Sequence, residues 1–402
     1  MQFLRQLCCR YERQQRHKCR SSECYVDCSH IGSQQKRIKN IMNEEQDLPD
    51  IFYSKLDDSL EVFITSLIKD QNKNFSLSSL NAEYYKKNDK DLISFYDTFF
   101  KQYRNRLIAL KDKLDKLNSL MKSLVYEYGP DKIKKKFDVL QDSTDISFAI
   151  LKSMQFHFAG RPYDAFECIE ELLNKDDFHL LRLFSTLRVF DKILFRVRNK
   201  RNLKDRVDLY HVPYEKRHLC SSERYSIPGY ASLYLSGSLK TALSETKVHN
   251  RKYSSAAFKI TTGHELKLID LSLPNRELNV TDKYCFLAFY PLIVACSLKV
   301  KYPAAPYKPE YLISQDVFSA VRLHYNGIDG FSYASIGEKI FDFKKDEQRN
   351  YVLYVRHTET EKGYSKDLSK KLLSTKPVTP KLFENIEKIE EKLKKMSFEE
   401  IL

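Results

Sequence analysis

The chain has 402 residues, a length that predicts two or three domains, and 42% of its residues are hydrophobic, as in ordinary soluble globular proteins. No apolar run reaches the roughly 18 residues that a membrane span needs, and the basic N-terminus lacks the features of a secretory signal. Nine cysteines without an export signal predict reduced thiols and a cytoplasmic location. The net charge of +14 fits either an anionic partner or a lysine-rich solvated surface.

The first segment, residues 1–42, is basic, rich in cysteine and without periodicity, so we expect a flexible arm or a stretch that precedes the true start of the protein. Cys24 and Cys28 have a spacing close to that of zinc ligands, but Cys9 and Cys19 do not form the second pair that such a site needs. A zinc knuckle is therefore the alternative for this segment. No HExxH or paired CxxC motif predicts a catalytic metal elsewhere.

Residues 43–190 are predicted to form a helical domain. Between Leu92 and Val125 apolar residues recur at steps of three and four, which predicts one long amphipathic helix that Gly129 and Pro130 end. Further helices are predicted over 143–158 and from Arg161-Pro162 to Leu173. An apolar stripe of this kind is typical of a core-facing surface, and no catalytic constellation is found in this half.

Residues 191–358 have a different sequence pattern, in which turns and short helices separate short β-type runs. This pattern predicts a mixed α+β domain. The charged segment 359–402 is predicted to be a tail whose last part forms a surface or docking helix. The predicted strands are Ile193–Val197, Ser232–Leu235, Ala256–Ile260, Leu266–Leu271, Gly330–Tyr333 and Tyr351–Val355.

The candidate chemistry lies in this second half. Arginine can bind a diphosphate with a fork of donors, tyrosine offers a platform for a planar ring, and a carboxylate stabilises an oxocarbenium-like ribosyl cation. An enzyme that holds a dinucleotide and breaks its glycosidic bond needs these groups together, although each alone is more typical of a surface or core position. The candidates are Arg196 in a strand-like run, Arg224-Tyr225 before a Pro-Gly turn, Tyr234 in the strand Leu-Tyr-Leu, and Glu245 on the following helix.

The order of these motifs resembles the RES domain, a family named for its Arg, Glu and Ser. Tyr225 stands where the family usually has Trp, and Glu223 stands where it has Gly. Glu223 therefore adds a second carboxylate to the predicted pocket or blocks the close approach of a backbone. The matching segments are LFRVR at 194–198, ERYSIPG at 223–229, SLYLSGS at 232–238, TALSE at 241–245, KPEYLISQDVFSAVR at 308–322 and IDGFSYAS at 328–335.

The resemblance implies a fold related to the diphtheria-toxin-like ADP-ribosyltransferases. It implies a bacterial toxin of a toxin–antitoxin pair that hydrolyses or phosphorolyses NAD or transfers ADP-ribose to a protein. The expected partners are NAD as substrate, an antitoxin and a protein acceptor, with no metal, no membrane and no nucleic acid. By position, Arg196 and Arg224 would hold the diphosphate, Tyr234 would position the nicotinamide, Glu245 would be the catalytic acid, Ser335 would complete the pocket, and Tyr225 and Gly229 would belong to the NAD-binding surface.

Other interpretations remain open at this point. The positive charge and the basic arm are compatible with a protein that binds or cleaves nucleic acid. A RES-like domain without activity could also serve as an interaction module that forms a complex through the 92–125 helix. His211 and His218 are candidate general bases, but neither matches a position of the family. Cys220 is a candidate nucleophile, but no neighbour in the sequence is expected to lower its pKa.

Overall fold

The computed structural model describes most of the chain after residue 55. The predicted arm at 1–42, with its cysteines, lies outside the described residues. The described ranges are 56–86, 91–128, 137–174, 186–246, 248, 252–274, 277–335, 346–357, 360–381 and 384–402.

The first described part is helical, as predicted. Aspartates at 57, 91 and 138 cap three of its helices, because each carboxylate accepts an N–H of the first turn that has no partner within the helix. The helices are α1 Asp58–Ile68, α2 Leu77–Lys86, α3 Leu92–Ile108, α4 Lys111–Tyr128, α5 Val139–Phe158 and α6 Pro162–Asn174.

The prediction of one long helix over 92–125 is wrong. The chain forms two helices, α3 and α4, with a break at Ala109 and Leu110. At the break the N–H of Leu110 donates to the carbonyl of Leu107, so the last turn of α3 tightens and the helix ends there. The apolar spacing continues without a gap across the break, and neither Gly nor Pro marks it. The sequence therefore carries no local signal for it, and packing of both helices against one core sets their directions.

The second part combines a curled sheet with helices. Nine of the described strands form one sheet in the order β1-β5-β6-β7-β3-β2-β4-β10-β11, antiparallel throughout except for β5 and β6. All six predicted strands are present. The strands are β1 Thr186–Val189, β2 Ile193–Arg198, β3 Ser232–Ser236, β4 Ser254–Ile260, β5 Leu266–Asp270, β6 Gly330–Ala334, β7 Arg349–Tyr354, β8 Thr360–Glu361, β9 Tyr364–Ser365, β10 Leu372–Ser374 and β11 Glu399–Glu400; the helices are α7 Leu239–Thr246, α8 Val280–Ala295, α9 Leu312–His324, α10 Lys366–Lys371 and α11 Ile386–Lys395.

The helical region and the sheet share one hydrophobic core. Helix α8 is buried almost all round and packs against α5 on one side, while its apolar residues join those of β6 and β7 on the other. A helix that is apolar on every face must be enclosed on every face. The predicted units 43–190 and 191–358 therefore pack as one body around α8. No helix among the described residues is long and apolar enough to span a membrane.

The segment 359–402, predicted as a tail, extends the sheet with β10 and β11. Its helix α11 is present as predicted, but its apolar side is not a free surface. Ile389 and Leu393 are fully buried and pack with Phe195, Leu239 and other residues of β2, α7 and β4. The C-terminal segment is thus a structural layer behind α7, and its charged side faces solvent together with Ile386.

We predict that Gly330→Ala destabilises the fold by about 2 kcal/mol or more. Gly330 begins β6 with φ +158°, and a Cβ there would lie 1.9 Å from the carbonyl oxygen of Val352 in β7. Backbone would have to move in the middle of the sheet. The measurement is the urea unfolding midpoint, with Gly327→Ala as the control, because a Cβ at Gly327 meets nothing within 4 Å. Equal midpoints for the two variants would contradict the close approach.

Candidate functional site

A cleft of about 510 Å³ opens between β2 and β3. These strands pair only at Phe195 and Ser236, and the cleft lies where they diverge. Helix α7 and the segment 219–226 form its sides, and Tyr311, Tyr333 and Asn350 complete its wall. The volume is in the range of ligand sites. Of the predicted site residues, the cleft wall contains Arg196, Arg224, Tyr234 and Glu245.

Glu245 is held in place through one of its two carboxylate oxygens. The hydroxyl of Ser335, just after β6, donates to Oε1 at 2.5 Å, and Nδ2 of Asn350 in β7 donates to the same oxygen at 2.8 Å. Ser335 and Asn350 are almost completely buried, whereas Glu245 is exposed at the cleft. Both recorded contacts use Oε1, so Oε2 is the oxygen available to a ligand.

The start of the helix that carries Glu245 is fixed from two sides. Ser238 Oγ accepts the N–H of Thr241 at 3.1 Å, and the Thr241 hydroxyl donates to the carbonyl of Glu347 at 2.8 Å. Glu390 of α11 accepts the N–H of Leu239 at 2.9 Å. These contacts satisfy donors that a helix start leaves without partners. Helix α7 is therefore clamped between the sheet and the C-terminal layer.

Arg196 presents a desolvated cation at the cleft. Its Nη1 donates to the carbonyl oxygen of Tyr234 at 3.2 Å, across the gap between β2 and β3. Burial, followed by the like charge of Arg198, lowers the pKa of Arg196 to about 9, so the guanidinium is still positive at neutral pH. Among the described residues, the hydrogen-bond acceptor of this guanidinium is a backbone carbonyl and not a carboxylate. Such a cation is suited to an anionic ligand.

Arg224 also lines the cleft, but its terminal nitrogens are engaged in the interior. Nη1 donates to the carbonyl of Cys296 at 2.8 Å, and Nη2 donates to the carbonyl of Leu298 at 2.7 Å. The guanidinium lies 5.0 Å from the ring centre of Tyr311. The structure thus places Arg224 as a link between the cleft and the chain that follows α8, and Arg196 as the arginine with more donors free for a ligand.

The predicted aromatic residues occupy different positions. The ring of Tyr234 is on the cleft wall, and its hydroxyl accepts the N–H of Tyr225 at 3.2 Å and lies 2.9 Å from Ser226 Oγ. Tyr225 is fully buried and stacks on Phe331, so it supports the cleft from below and is not on its wall. Gly229 has φ +84° and forms the turn after the cleft segment, again outside the wall.

Two further residues hold the site in place, and neither was among the predicted site residues. Asn350 receives a hydrogen bond from Ser236 at 2.7 Å on its Oδ1 while it donates to Glu245, so it relays order from β3 to the carboxylate. Gln315 of α9 donates to the carbonyls of Glu223 and Ser226 at 2.8 and 3.1 Å. Gln315 lies in the segment 308–322 that resembles the RES domain, so the resemblance offered a signal for it. For Asn350 the only sequence signal is a polar residue in an apolar strand, which is common in proteins of every kind.

Glu223 lies on the cleft wall, as expected from its place in the motif. Its Oε1 accepts from the hydroxyl of Ser221 at 3.0 Å, and its side chain is exposed. Its backbone closes a tight turn with Ser226, through hydrogen bonds of 2.9 and 3.1 Å. The cleft therefore has a second carboxylate on the wall opposite helix α7.

The candidates His211 and Cys220 are not arranged for catalysis. His211 is buried, Nδ1 donates to the carbonyl of Val212 at 2.8 Å, and Nε2 accepts the N–H of Ser365 at 2.9 Å, so both ring nitrogens are used. Burial raises the pKa of Cys220, which makes its thiol a poor nucleophile. Within the described ranges no three His, Cys, Asp or Glu side chains are grouped in a way that could hold a metal ion.

Comparison with known proteins gives two matches. Residues 193–368 match the model of the RES domain. A protein of Bacillus subtilis (strain 168) whose name is "Putative toxin YopC" is 26% identical over 303 residues, which cover 67% of this chain and 67% of that protein. No solved structure matches. The RES match contains Arg196, Arg224, Tyr234, Glu245 and Ser335, whereas the helical region and α11 lie outside it.

We predict that acid weakens the fold through His211. Its folded pKa of about 4 lies below the unfolded value of 6.5, mainly because burial disfavours the charged form. Because the folded pKa is depressed, the neutral imidazole contributes about 3 kcal/mol to the free energy of unfolding at pH values above the unfolded pKa. This contribution is lost as the pH falls from 6.5 to 4. The measurement is the free energy of unfolding between pH 7 and pH 4. His211→Gln, a neutral substitute, should give a smaller slope, and an identical slope would contradict the assignment.

Proposed function

We propose that the chain, whose residues 193–368 match the model of the RES domain, is a toxin-like enzyme that cleaves NAD at the bond between nicotinamide and ribose. The observation that carries the proposal is the pairing, in one cleft, of a desolvated guanidinium with an anchored carboxylate. Arg196 and Glu245 lie on facing elements of the same cleft, β2 and α7. One group suits the diphosphate of a dinucleotide and the other suits a developing positive charge on the ribose.

The proposed reaction breaks the C1′–N bond of the nicotinamide ribose. The bonding electron pair leaves with the ring nitrogen, which neutralises the pyridinium, and the ribosyl carbon becomes electron-deficient. Glu245 stabilises this carbon through Oε2, while Ser335 and Asn350 hold Oε1. A nucleophile then adds to C1′, and its proton passes to the solvent. Because the carboxylate is fixed before the reaction, little reorganisation is needed when the charge develops.

Each remaining residue has a proposed place in this arrangement. Arg196 binds the diphosphate, with Arg224 completing the positive side of the cleft from its interior position. Tyr234 and Tyr333 are on the wall of the cleft, and Tyr234 would position the nicotinamide ring. The fold would accordingly be related to the diphtheria-toxin-like ADP-ribosyltransferases, and the enzyme would need no metal.

The type of reaction depends on which nucleophile reaches C1′. Water gives hydrolysis, inorganic phosphate gives phosphorolysis, and a protein side chain gives ADP-ribosyl transfer. Exposure of Glu245 at the cleft leaves room for any of them. A toxin of this type would also be paired with an antitoxin that limits its activity. An alternative of another class, a nucleic-acid-binding protein, is favoured by the net charge of +14 and predicts steeply salt-dependent binding with no change in NAD.

Glu245→Gln is expected to lower nicotinamide release at least about 100-fold, because the amide keeps the shape but cannot stabilise a cation. The measurement is nicotinamide release from NAD by purified protein. Glu391→Gln is the matched control, since Glu391 is exposed on α11 and is not on the wall of the cleft. A folded Glu245→Gln variant with wild-type turnover would disprove the role of this carboxylate.

Arg196→Lys is expected to raise the KM for NAD about tenfold with a smaller change in kcat, because lysine keeps the charge but loses the fork of donors. The control is Arg201→Lys, a change at an exposed arginine of the same region. Near-ultraviolet circular dichroism checks that the tyrosine packing around β2 and β3 is unchanged. An unchanged KM would show that Arg196 serves only the carbonyl of Tyr234.

A further inference from the structure

We propose that the N-terminal helical region is a positioning part of the cleft, which acts through residues 296–301 on Arg224 and on the turn 222–226. Residues 296–301, which follow α8, are called the strap here. The helical region lies outside the RES match, so the family resemblance assigns it no role. The expected effect on the KM for NAD rests on the proposed function, whereas the expected effect on hydrogen exchange does not.

One side of the strap binds the cleft. The carbonyl oxygens of Cys296 and Leu298 accept from the two terminal nitrogens of Arg224, at 2.8 and 2.7 Å. Arg224 is 9% exposed, so these hydrogen bonds are formed largely away from water. A buried guanidinium with two carbonyl acceptors can move only if both acceptors move with it.

The other side of the strap is held by helix α2. Asn81, which is 7% exposed, donates from Nδ2 to the carbonyl of Ser297 at 3.3 Å and accepts the N–H of Lys299 on Oδ1 at 2.7 Å. The hydroxyl of Tyr85 donates to the carbonyl of Val300. The strap therefore binds on two sides. The carbonyls of residues 296 and 298 accept from Arg224, and the carbonyls of residues 297 and 300 accept from side chains of α2.

A second contact from α2 reaches the platform beneath Arg224. The hydroxyl of Tyr84 donates to Oε1 of Glu310 at 2.8 Å, and the same oxygen accepts the N–H of Lys301 at 2.9 Å. Glu310 is 2% exposed and directly precedes Tyr311, whose ring lies under Arg224 and on the cleft wall. Helix α2 thus fixes both the acceptors of Arg224 and the aromatic ring that it covers.

Helix α5 holds the same turn by another route through α9. Asp316 accepts from Ser153 at 3.1 Å and contacts His157 Nε2 at 2.7 Å, which fastens α9 to α5. Its neighbour Gln315 donates to the carbonyls of Glu223 and Ser226, one residue before and two residues after Arg224. The turn 222–226 is accordingly held at its arginine by the strap and at its backbone by α9, and both holders are attached to the helical region.

Asn81→Ala tests the proposal, with Asn72→Ala as the matched control. The side chain of Asn72 makes three hydrogen bonds, one with Ser66 of α1 and two with the backbone N–H groups of Asn74 and Phe75, but none with the strap. Hydrogen exchange of peptides that cover 219–230 is compared in both variants. We expect Asn81→Ala to speed exchange there by about tenfold, with the control unchanged. Tyr85→Phe, which removes one hydroxyl at a half-exposed site, should act in the same direction with a smaller effect and serves if Asn81→Ala does not fold.

The kinetic arm measures the KM for NAD. Asn81→Ala should raise it about three- to tenfold with a smaller fall in kcat, and adding Asn81→Ala to Arg224→Lys should change it by less than about twofold, because both changes act on one arrangement. Independent, multiplying effects on KM would overturn the proposal, as would unchanged exchange at 219–230 in Asn81→Ala and Tyr85→Phe. If the wild type releases no nicotinamide, the proposed function fails, and the exchange comparison still decides whether the helical region holds the turn.

Discussion

The divergence of β2 and β3 is the constraint on which the candidate site depends. Two neighbouring strands that stop pairing leave backbone groups without their ladder partners, and such groups must find others. Here β2 keeps its pairing with β4 on its other edge, and the guanidinium of Arg196 spans the gap to the carbonyl of Tyr234. The side chain that repairs the opened ladder is therefore also the cation at the mouth of the gap. The fold and the proposed ligand-binding chemistry would therefore share one residue.

The two arginines of the cleft differ in what they can offer a ligand. Arg224 has exchanged part of its hydrogen-bonding capacity for two backbone carbonyls and an aromatic ring, whereas the recorded bond of Arg196 is a single carbonyl contact of 3.2 Å. A residue engaged in this way holds its surroundings rigid, and a residue with free donors can change partners when an anion arrives. The motif names both arginines alike, and only the packing distinguishes them.

Elements and residues that carry a pattern or a motif could be predicted from the sequence, and those that packing alone determines could not. The six predicted strands are present because β-branched and apolar runs between turns are sufficient to specify them. The resemblance named both Glu245 and Ser335, and the structure adds the hydrogen bond between them. The break between α3 and α4 was missed because both sides continue one apolar spacing. Asn350 was missed because its partner lies 105 positions away along the chain. The short strands β10 and β11 lie in a charged segment whose composition is typical of a solvated tail.

The position of Glu245 argues for function on physical grounds. It lies in the last turn of α7, where the helix dipole and the unpaired carbonyls disfavour a negative charge. Its neighbours offset this cost, since Ser335 and Asn350, both buried, donate to one oxygen, and β3 in turn orients Asn350 through Ser236. A carboxylate placed against a local preference and supported from two strands is not required for the stability of an eight-residue helix. Departures of this kind, in which local rules are broken and then compensated, are found where a protein holds a charge ready for a ligand.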